Sequence, residues 1–153
     1  MYFGYNVLTI LNLNTMNFSE AISNMNFLAV VIAAVAGMAI GAIWYSPVLF
    51  SNAWMKENGV TKESLKGKNP FAPMIFSFLI TIVMAFNLAM FLSGESDFVQ
   101  GLIAGGLVGI GWVAASLAVL YLFESKSLKL FLINAGYNVV TFIVMGGIIG
   151  VWK

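Results

Sequence analysis

The sequence predicts an all-α, polytopic integral membrane protein whose four transmembrane helices form an antiparallel bundle. The first observation is composition, since 61% of the 153 residues are hydrophobic and only 8% are charged. Soluble domains have about 25% charged residues, so a soluble fold of this composition would lack a polar surface. The second observation is the pattern of the chain. Charge-free apolar segments, each long enough for a hydrocarbon core of about 30 Å, alternate with short polar connections.

Missing residue types exclude several kinds of site. The chain contains no cysteine, no histidine and no arginine, and its net charge is +1. Disulfides, thiolate metal sites and histidine-based triads are therefore excluded. The positive surface that nucleic-acid binding requires is also missing. We expect no cofactor, no metal, no nucleic-acid partner and no enzymatic activity.

The chain divides into an extension and one domain. Residues 1–26 contain apolar residues at roughly helical spacing, which favours a helix lying in the membrane interface. A poorly ordered tail is the alternative. Residues 27–152 form a single transmembrane domain with spans at about 27–46, 71–92, 98–123 and 130–152.

The ends of the first three spans carry local signals. Trp44 and Tyr45 are typical of the aromatic belt at a membrane surface, and Pro47 disfavours a continuing helix. A polar loop at 48–69 follows, and Pro70 begins the second span, where its missing amide hydrogen costs little. Asp97 forms a variant capping box with Gln100 and starts the third span.

Glycines at four-residue spacing predict the faces on which helices pack closely, because small residues let two backbones approach. The helix-packing glycines are Gly37, Gly41, Gly101, Gly105, Gly109, Gly146 and Gly150. The three in the third span leave one face almost without side chains, which predicts the tightest helix–helix contact. The glycine faces also offer a surface for a second copy of the chain or for another membrane subunit.

A polar face runs along the fourth span. Asn134, Asn138 and Thr141 share it, and Tyr137 lies beside them. Amides in hydrocarbon need partners, so we expect this face to point into the bundle. Two interpretations stay open: hydrogen bonds between helices, or a polar lining for a small ligand or an ion path.

Lysines predict the orientation. With four spans, the first and third connections share one side, and that side carries Lys56, Lys62, Lys66, Lys68, Lys126 and Lys129. The opposite side carries only Lys153. The positive-inside rule predicts that the lysine-rich loops are cytoplasmic and that both termini lie outside the inner membrane of the cell.

Polar and aromatic side chains from three spans converge in the lysine-side half, which makes this half the candidate ligand-binding site. The candidate residues are Trp44, Tyr45, Tyr121, Glu124, Asn134, Tyr137, Asn138 and Thr141. For Glu124, we expect a pair with Lys126 or Lys129 at the membrane surface. The alternative is a proton or cation site that faces the bundle.

Two stretches resemble a known family. GAIWYSPVLF at 41–50, followed by WMK at 54–56, resembles the opening signature of the bacterial membrane-protein family called domain of unknown function 1761. YLFE at 121–124, NAGY at 134–137 and GG at 146–147 are similar to its closing half. The resemblance covers about 25–152, departs from the pattern in residues 1–24, and implies a four-helix membrane protein without an assigned activity.

Three functional classes follow from these observations. The favoured class is a module that binds or carries a small molecule or an ion through the polar face of the fourth span. The next is a non-catalytic accessory or assembly subunit that docks through its glycine faces. A membrane enzyme is the least favoured class, because Glu124 would be its best candidate acid and no base or metal cluster accompanies it.

Overall fold

Four long helices make up most of the structure, a computed structural model that describes residues 18–67, 69–92 and 96–152. They are Phe27–Trp44, Phe71–Phe91, Phe98–Phe123 and Leu128–Val151, here called the first to fourth spans. Each is long and apolar enough to cross a membrane. Every regular element within the described ranges is a helix. The predicted class, an all-α protein with four transmembrane helices, is confirmed.

Among the described residues, three short helices accompany the spans. Phe18–Ser23 precedes the first span, and Ser51–Glu57 and Lys62–Leu65 lie in the loop after it. We call Ser51–Glu57 the loop helix. The predicted interfacial helix of the N-terminal extension falls mostly on residues 1–17, which lie outside the described residues.

Side-chain N-caps mark where the first, third and fourth spans begin. Asn26 Oδ1 accepts from the Ala29 N–H at 3.1 Å, and Asp97 Oδ1 accepts from the Gln100 N–H at 2.8 Å. Ser127 Oγ accepts from the Leu130 N–H at 3.1 Å. Each cap satisfies an amide that would have no partner within its helix. The fourth span therefore starts at residue 128, two residues before the predicted start.

The third span is not a continuous α-helix. It is α-helical over Phe98–Leu107, π-helical over Val108–Ala114 and α-helical again over Ala115–Phe123. A π-turn accommodates one extra residue, so the residues after it are rotated by about 100° relative to an uninterrupted α-helix. The sequence pattern predicts only one helical span here, because a π-turn changes neither its length nor its hydrophobicity.

The fourth span is the centre of the bundle. Of its most apolar 18-residue window, 44% of residues are buried, against 11% for the third span. The fourth span packs against the third and the first, and the second span packs mainly against the first. The third span therefore exposes most of its surface. It is held in the bundle mainly by the face that packs against the fourth span.

An apolar core fills the half of the bundle that lies away from the lysine-rich loops. The first span begins there, and the second and fourth spans end there. The core residues are Val30, Ala33, Ala34, Ala85, Leu88, Ala89, Leu92, Phe142, Met145 and Ile149. Small alanines on the first and second spans let these helices approach the larger side chains of the fourth.

The second span contributes little to the other half. All residues of Phe71–Ser77 are exposed, and the first buried residue of this span is Thr81. The lysine-side half of the bundle is therefore built by the first, third and fourth spans.

The predicted glycine face of the third span lies directly against the fourth span. A Cβ built on Gly101 would overlap the carbonyl of Gly146, and one on Gly105 would overlap the carbonyl of Phe142. A Cβ on Gly109 would lie 3.0 Å from the Cα of Val139. These contacts are between backbones, which cannot rotate away as a side chain can. Glycine is therefore required where the two spans are closest.

The remaining packing glycines are covered as well. Gly150 lies against the carbonyl of Asp97, Gly37 lies below Met145 and Thr141, and Gly41 lies below the Tyr137 ring. In the single chain, its own helices therefore occupy these glycine faces.

Gly105→Ala should destabilise the protein, because its Cβ would enter the Phe142 carbonyl. Gly111→Ala is the matched control, since a Cβ there has nothing within 4 Å. Both changes gain about 1 kcal/mol of helix propensity, so their difference reports packing. Overpacking costs about 1–3 kcal/mol, so the midpoint of thermal unfolding of Gly105→Ala in detergent should lie at least about 2–4 °C below that of Gly111→Ala. Equal midpoints for the two variants would contradict this helix contact.

Candidate functional site

Seven of the eight predicted site residues form one group, with six in the lysine-side half and Thr141 at the inner boundary of that half beside Gly37. We call them the polar cluster, and its members are Trp44, Tyr45, Tyr121, Asn134, Tyr137, Asn138 and Thr141. They come from the first, third and fourth spans. The cluster thus occupies the half of the bundle that the apolar core leaves free.

Asn134 joins three spans through one amide group. Its Oδ1 accepts from the Tyr45 hydroxyl at 2.9 Å, and its Nδ2 donates to the Tyr121 hydroxyl at 2.7 Å. Tyr45 uses its only proton in this contact. Tyr121 accepts a hydrogen bond and therefore keeps its own proton for another acceptor. Each such bond between membrane helices contributes about 0.6 kcal/mol on average.

Trp44 attaches the end of the first span to the fourth. Its Nε1–H donates to the backbone carbonyl of Ile133 at 3.0 Å. Its ring lies over Gly136, where a Cβ would be 3.1 Å from Cζ2, and packs against Phe50 with ring centroids 4.8 Å apart. The indole therefore fills the space that the glycine leaves and has no further N–H to offer.

Tyr137 and Asn138 form the middle of the cluster. The Tyr137 ring meets the Tyr45 ring edge to face, with centroids 5.3 Å apart. Asn138 Nδ2 donates to the backbone carbonyl of Asn134 at 2.8 Å, which leaves Asn138 Oδ1 as an acceptor. Within the described ranges, no residue donates to that oxygen or pairs with the Tyr137 hydroxyl.

Thr141 lies about two helical turns deeper than Asn134. It is only 1% exposed, and its Oγ1 has no hydrogen-bond partner among the described residues. Its methyl group faces Gly37, with Cγ2 3.2 Å from the position of a Cβ there. A buried hydroxyl without a partner costs about 1–3 kcal/mol. Thr141 therefore has bonding capacity that the described part of the chain does not use.

Glu124 lies apart from the polar cluster. It is exposed at the C-terminal end of the third span, and its expected pair with Lys126 or Lys129 does not form. Lys129 Nζ instead lies 3.8 Å from Glu57 Oε1, and the Ser127 hydroxyl donates to the same carboxylate. The loop helix brings Glu57 to the start of the fourth span. This contact is hard to predict because the two segments lie far apart in the sequence.

The loop helix also contributes site residues that the sequence pattern does not place among the eight predicted ones. The Trp54 ring meets Tyr45 edge to face, with centroids 6.2 Å apart. A cavity of about 390 Å³ lies beside this contact, lined by Tyr45, Ser51, Trp54, Met55 and Leu65. The four-residue spacing of Phe50 and Trp54 was the available signal, since it places both rings on one helical face.

The π-turn directs Tyr121 toward the fourth span. Tyr121 lies sixteen residues after Gly105, so an uninterrupted α-helix would place it about 160° away from the glycine face. The extra residue of the π-turn reduces that angle to about 60°. This rotation explains how one helix presents glycine to the fourth span at one end and a tyrosine hydroxyl at the other.

Tyr121→Phe should destabilise the protein by about 0.6 kcal/mol, and by no more than about 1.7 kcal/mol, because it removes the acceptor of Asn134 Nδ2. Tyr137→Phe is the control, since its hydroxyl has no protein partner among the described residues and should contribute little. Reversible unfolding in mixed micelles, followed by tryptophan fluorescence, measures both values. An equal effect of the two changes would contradict the assigned role of Asn134.

Comparison with known proteins identifies the family to which the chain belongs. No curated protein and no solved structure matches the chain. The profile of a family described as "Protein of unknown function (DUF1761)" matches residues 28–150. That range contains all of the polar cluster and nearly all of the four spans, and the match confirms the resemblance seen in the sequence. The chain therefore belongs to the DUF1761 family of proteins of unknown function.

Proposed function

We propose that this protein is a membrane-embedded module that binds a small, polar, uncharged molecule in the polar cluster, without enzymatic activity. The buried Thr141 hydroxyl, which has no partner among the described residues, is the observation that supports this proposal most directly. Water cannot satisfy a polar group inside a bilayer as it does at a soluble surface. A molecule that hydrogen-bonds to Thr141 would therefore recover free energy that the fold has lost.

The chemistry of the cluster suggests the class of ligand. Tyr121 offers a proton, Asn138 offers an acceptor oxygen, and Thr141 offers both. A matching ligand needs donors as well as acceptors. The cluster contains hydroxyl, amide and indole groups and no ionised side chain, and burying an unpaired charge is costly. An uncharged ligand fits these groups best, and the rings of Tyr45 and Tyr137 supply flat apolar contact surfaces.

Access favours the lysine side. The cavity of about 390 Å³ adjoins Tyr45, and the exposed start of the second span leaves this half of the bundle open. The apolar core closes the other half, where Met145 is 0% exposed and Leu88 is 2% exposed. Thr141 itself is 1% exposed, so a ligand that enters from this side reaches its hydroxyl only after the side chains between Tyr45 and Thr141 move apart. Carriage across the membrane would require the core helices to separate.

Asn138→Leu and Thr141→Val should each reduce the amount of a co-purifying small molecule by about tenfold, which corresponds to about 1.4 kcal/mol or roughly one lost hydrogen bond. Asn87→Leu is the matched control. Asn87 Nδ2 also donates to a carbonyl of its own helix, that of Val83 at 2.8 Å, but the side chain is exposed. Mass spectrometry of compounds released from equal amounts of each purified variant gives the ratio.

The result that supports the binding proposal differs from the results that contradict it. Wild type and Asn87→Leu should release the same compound at the same molar ratio. If no compound is released by wild type, or if all four proteins release equal amounts, the binding proposal is wrong. An unchanged membrane complex in pull-downs of these variants would then favour the accessory-subunit alternative.

We also propose that the lysine-rich loops are cytoplasmic and that both termini lie outside the inner membrane. Support comes from the lysine asymmetry and from the four spans. Because the chain lacks cysteine, single cysteines report topology without background. In intact cells, Ser96→Cys should react with a membrane-impermeant maleimide, and Lys62→Cys should react only after permeabilisation. The reverse pattern would invert the orientation and the side from which the ligand enters.

A further inference from the structure

A second groove lies outside the polar cluster, where the end of the first span, the loop helix and the start of the fourth span meet. Its volume is about 760 Å³, and its lining includes Phe50, Ala53, Leu128, Lys129, Leu132 and Gly136. It shares Trp44 with the polar cluster. The Trp44 N–H is already bonded to the carbonyl of Ile133, so the indole offers this groove a carbon surface.

The groove runs from the membrane surface into the bilayer. Its fourth-span residues extend from 128 to 136, which is about 12 Å along the helix axis at 1.5 Å per residue. Leu128 is 70% exposed and Leu132 is 59% exposed, although both belong to a span. These side chains face the lipid, so the groove is open to the hydrocarbon chains of the bilayer.

One charged side chain belongs to the lining, and it lies at the surface end. Lys129 is in the first turn of the fourth span, its side chain is 58% exposed, and its Nζ is 3.8 Å from Glu57 Oε1. Glu57 is also bonded by the Ser127 hydroxyl. The Lys129–Glu57 pair is long, and its two partners differ in exposure, since the Glu57 side chain is only 19% exposed. The Lys129 ammonium group has three protons and is 58% exposed, so it can donate to an incoming anion in addition to its contact with Glu57.

We propose that this groove binds one anionic phospholipid, with an acyl chain along the apolar wall and the phosphate on Lys129. The combination of an apolar channel open to lipid and a single cation at its surface end matches an amphipathic anion of the bilayer. A water-soluble polar molecule would find carbon along most of the groove. A zwitterionic lipid would bring its own ammonium group to Lys129 and lose part of the attraction.

The experiment uses the full chain in detergent micelles and native mass spectrometry. Phosphatidylglycerol and phosphatidylcholine with identical acyl chains are titrated separately, so the two probes differ only in the headgroup. Wild type should bind the first phosphatidylglycerol about fivefold more tightly than phosphatidylcholine. That ratio corresponds to about 1 kcal/mol, the contribution of one lysine near an anionic surface.

Two variants test the two ends of the groove. Lys129→Gln should reduce phosphatidylglycerol affinity about fivefold, to that of phosphatidylcholine. Ala53→Phe should fill the apolar wall and weaken both lipids. Lys62→Gln is the control, because Lys62 is an exposed lysine on the separate helix Lys62–Leu65 and should leave both affinities unchanged.

Three results would overturn the proposal. The first is a headgroup preference that survives Lys129→Gln, and the second is an equal loss in Lys62→Gln, which would indicate general charge attraction. The third is full lipid retention by Ala53→Phe in a protein that still elutes as a folded species. None of these results depends on the polar cluster, so this proposal stands or fails separately from the proposed function.

Discussion

Backbone contact between the third and fourth spans is the constraint on which the rest of the molecule depends. The third span buries only 11% of its apolar window, so it has few other contacts that could hold its position. Inside a bilayer, apolar burial does not drive helices together, because lipid tails are as apolar as leucine. Close approach at Gly101 and Gly105 supplies van der Waals contact instead. The position of Tyr121 follows from this contact and from the π-turn, which comes after Gly105 in the third span.

The two halves of the bundle differ in chemistry along its length. The half away from the lysine-rich loops is a packed apolar core, and the lysine-side half carries the polar cluster. Thr141 and Gly37 mark the boundary, since the Thr141 methyl group packs against Gly37 and its hydroxyl remains without a described partner. The packed core fixes the first, second and fourth spans relative to one another. The polar side chains in the other half therefore keep their positions without an apolar core between them.

The loop after the first span is more than a connection. Its helix Ser51–Glu57 brings Trp54 to Tyr45 and Glu57 to Lys129, so it contacts both the polar cluster and the lipid-facing groove. Trp44 is common to the two sites and is anchored to the carbonyl of Ile133. The proposed small-molecule site and the proposed lipid site are therefore adjacent, and the Trp44 indole ring belongs to both.

Much of the architecture could be predicted from residues close together in the chain. Hydrophobic length determined the four spans, and the spacing of glycines along the third span identified the face that meets the fourth. The convergence of Tyr45, Tyr121 and Asn134 followed from the order of the spans, because alternate ends of antiparallel helices lie on the same side. These properties are local or topological, so they can be inferred from the order and spacing of the residues alone.

Other features depend on which surfaces meet in space, so they are visible only in the folded bundle. The pairing of Lys129 with Glu57 in place of Glu124 joins residues more than seventy positions apart. The π-turn over Val108–Ala114 and the exposed start of the second span leave hydropathy unchanged. An apolar residue has the same hydropathy whether it faces lipid or another helix. Sequence therefore indicated which segments cross the membrane, and packing decided which of their faces became a site.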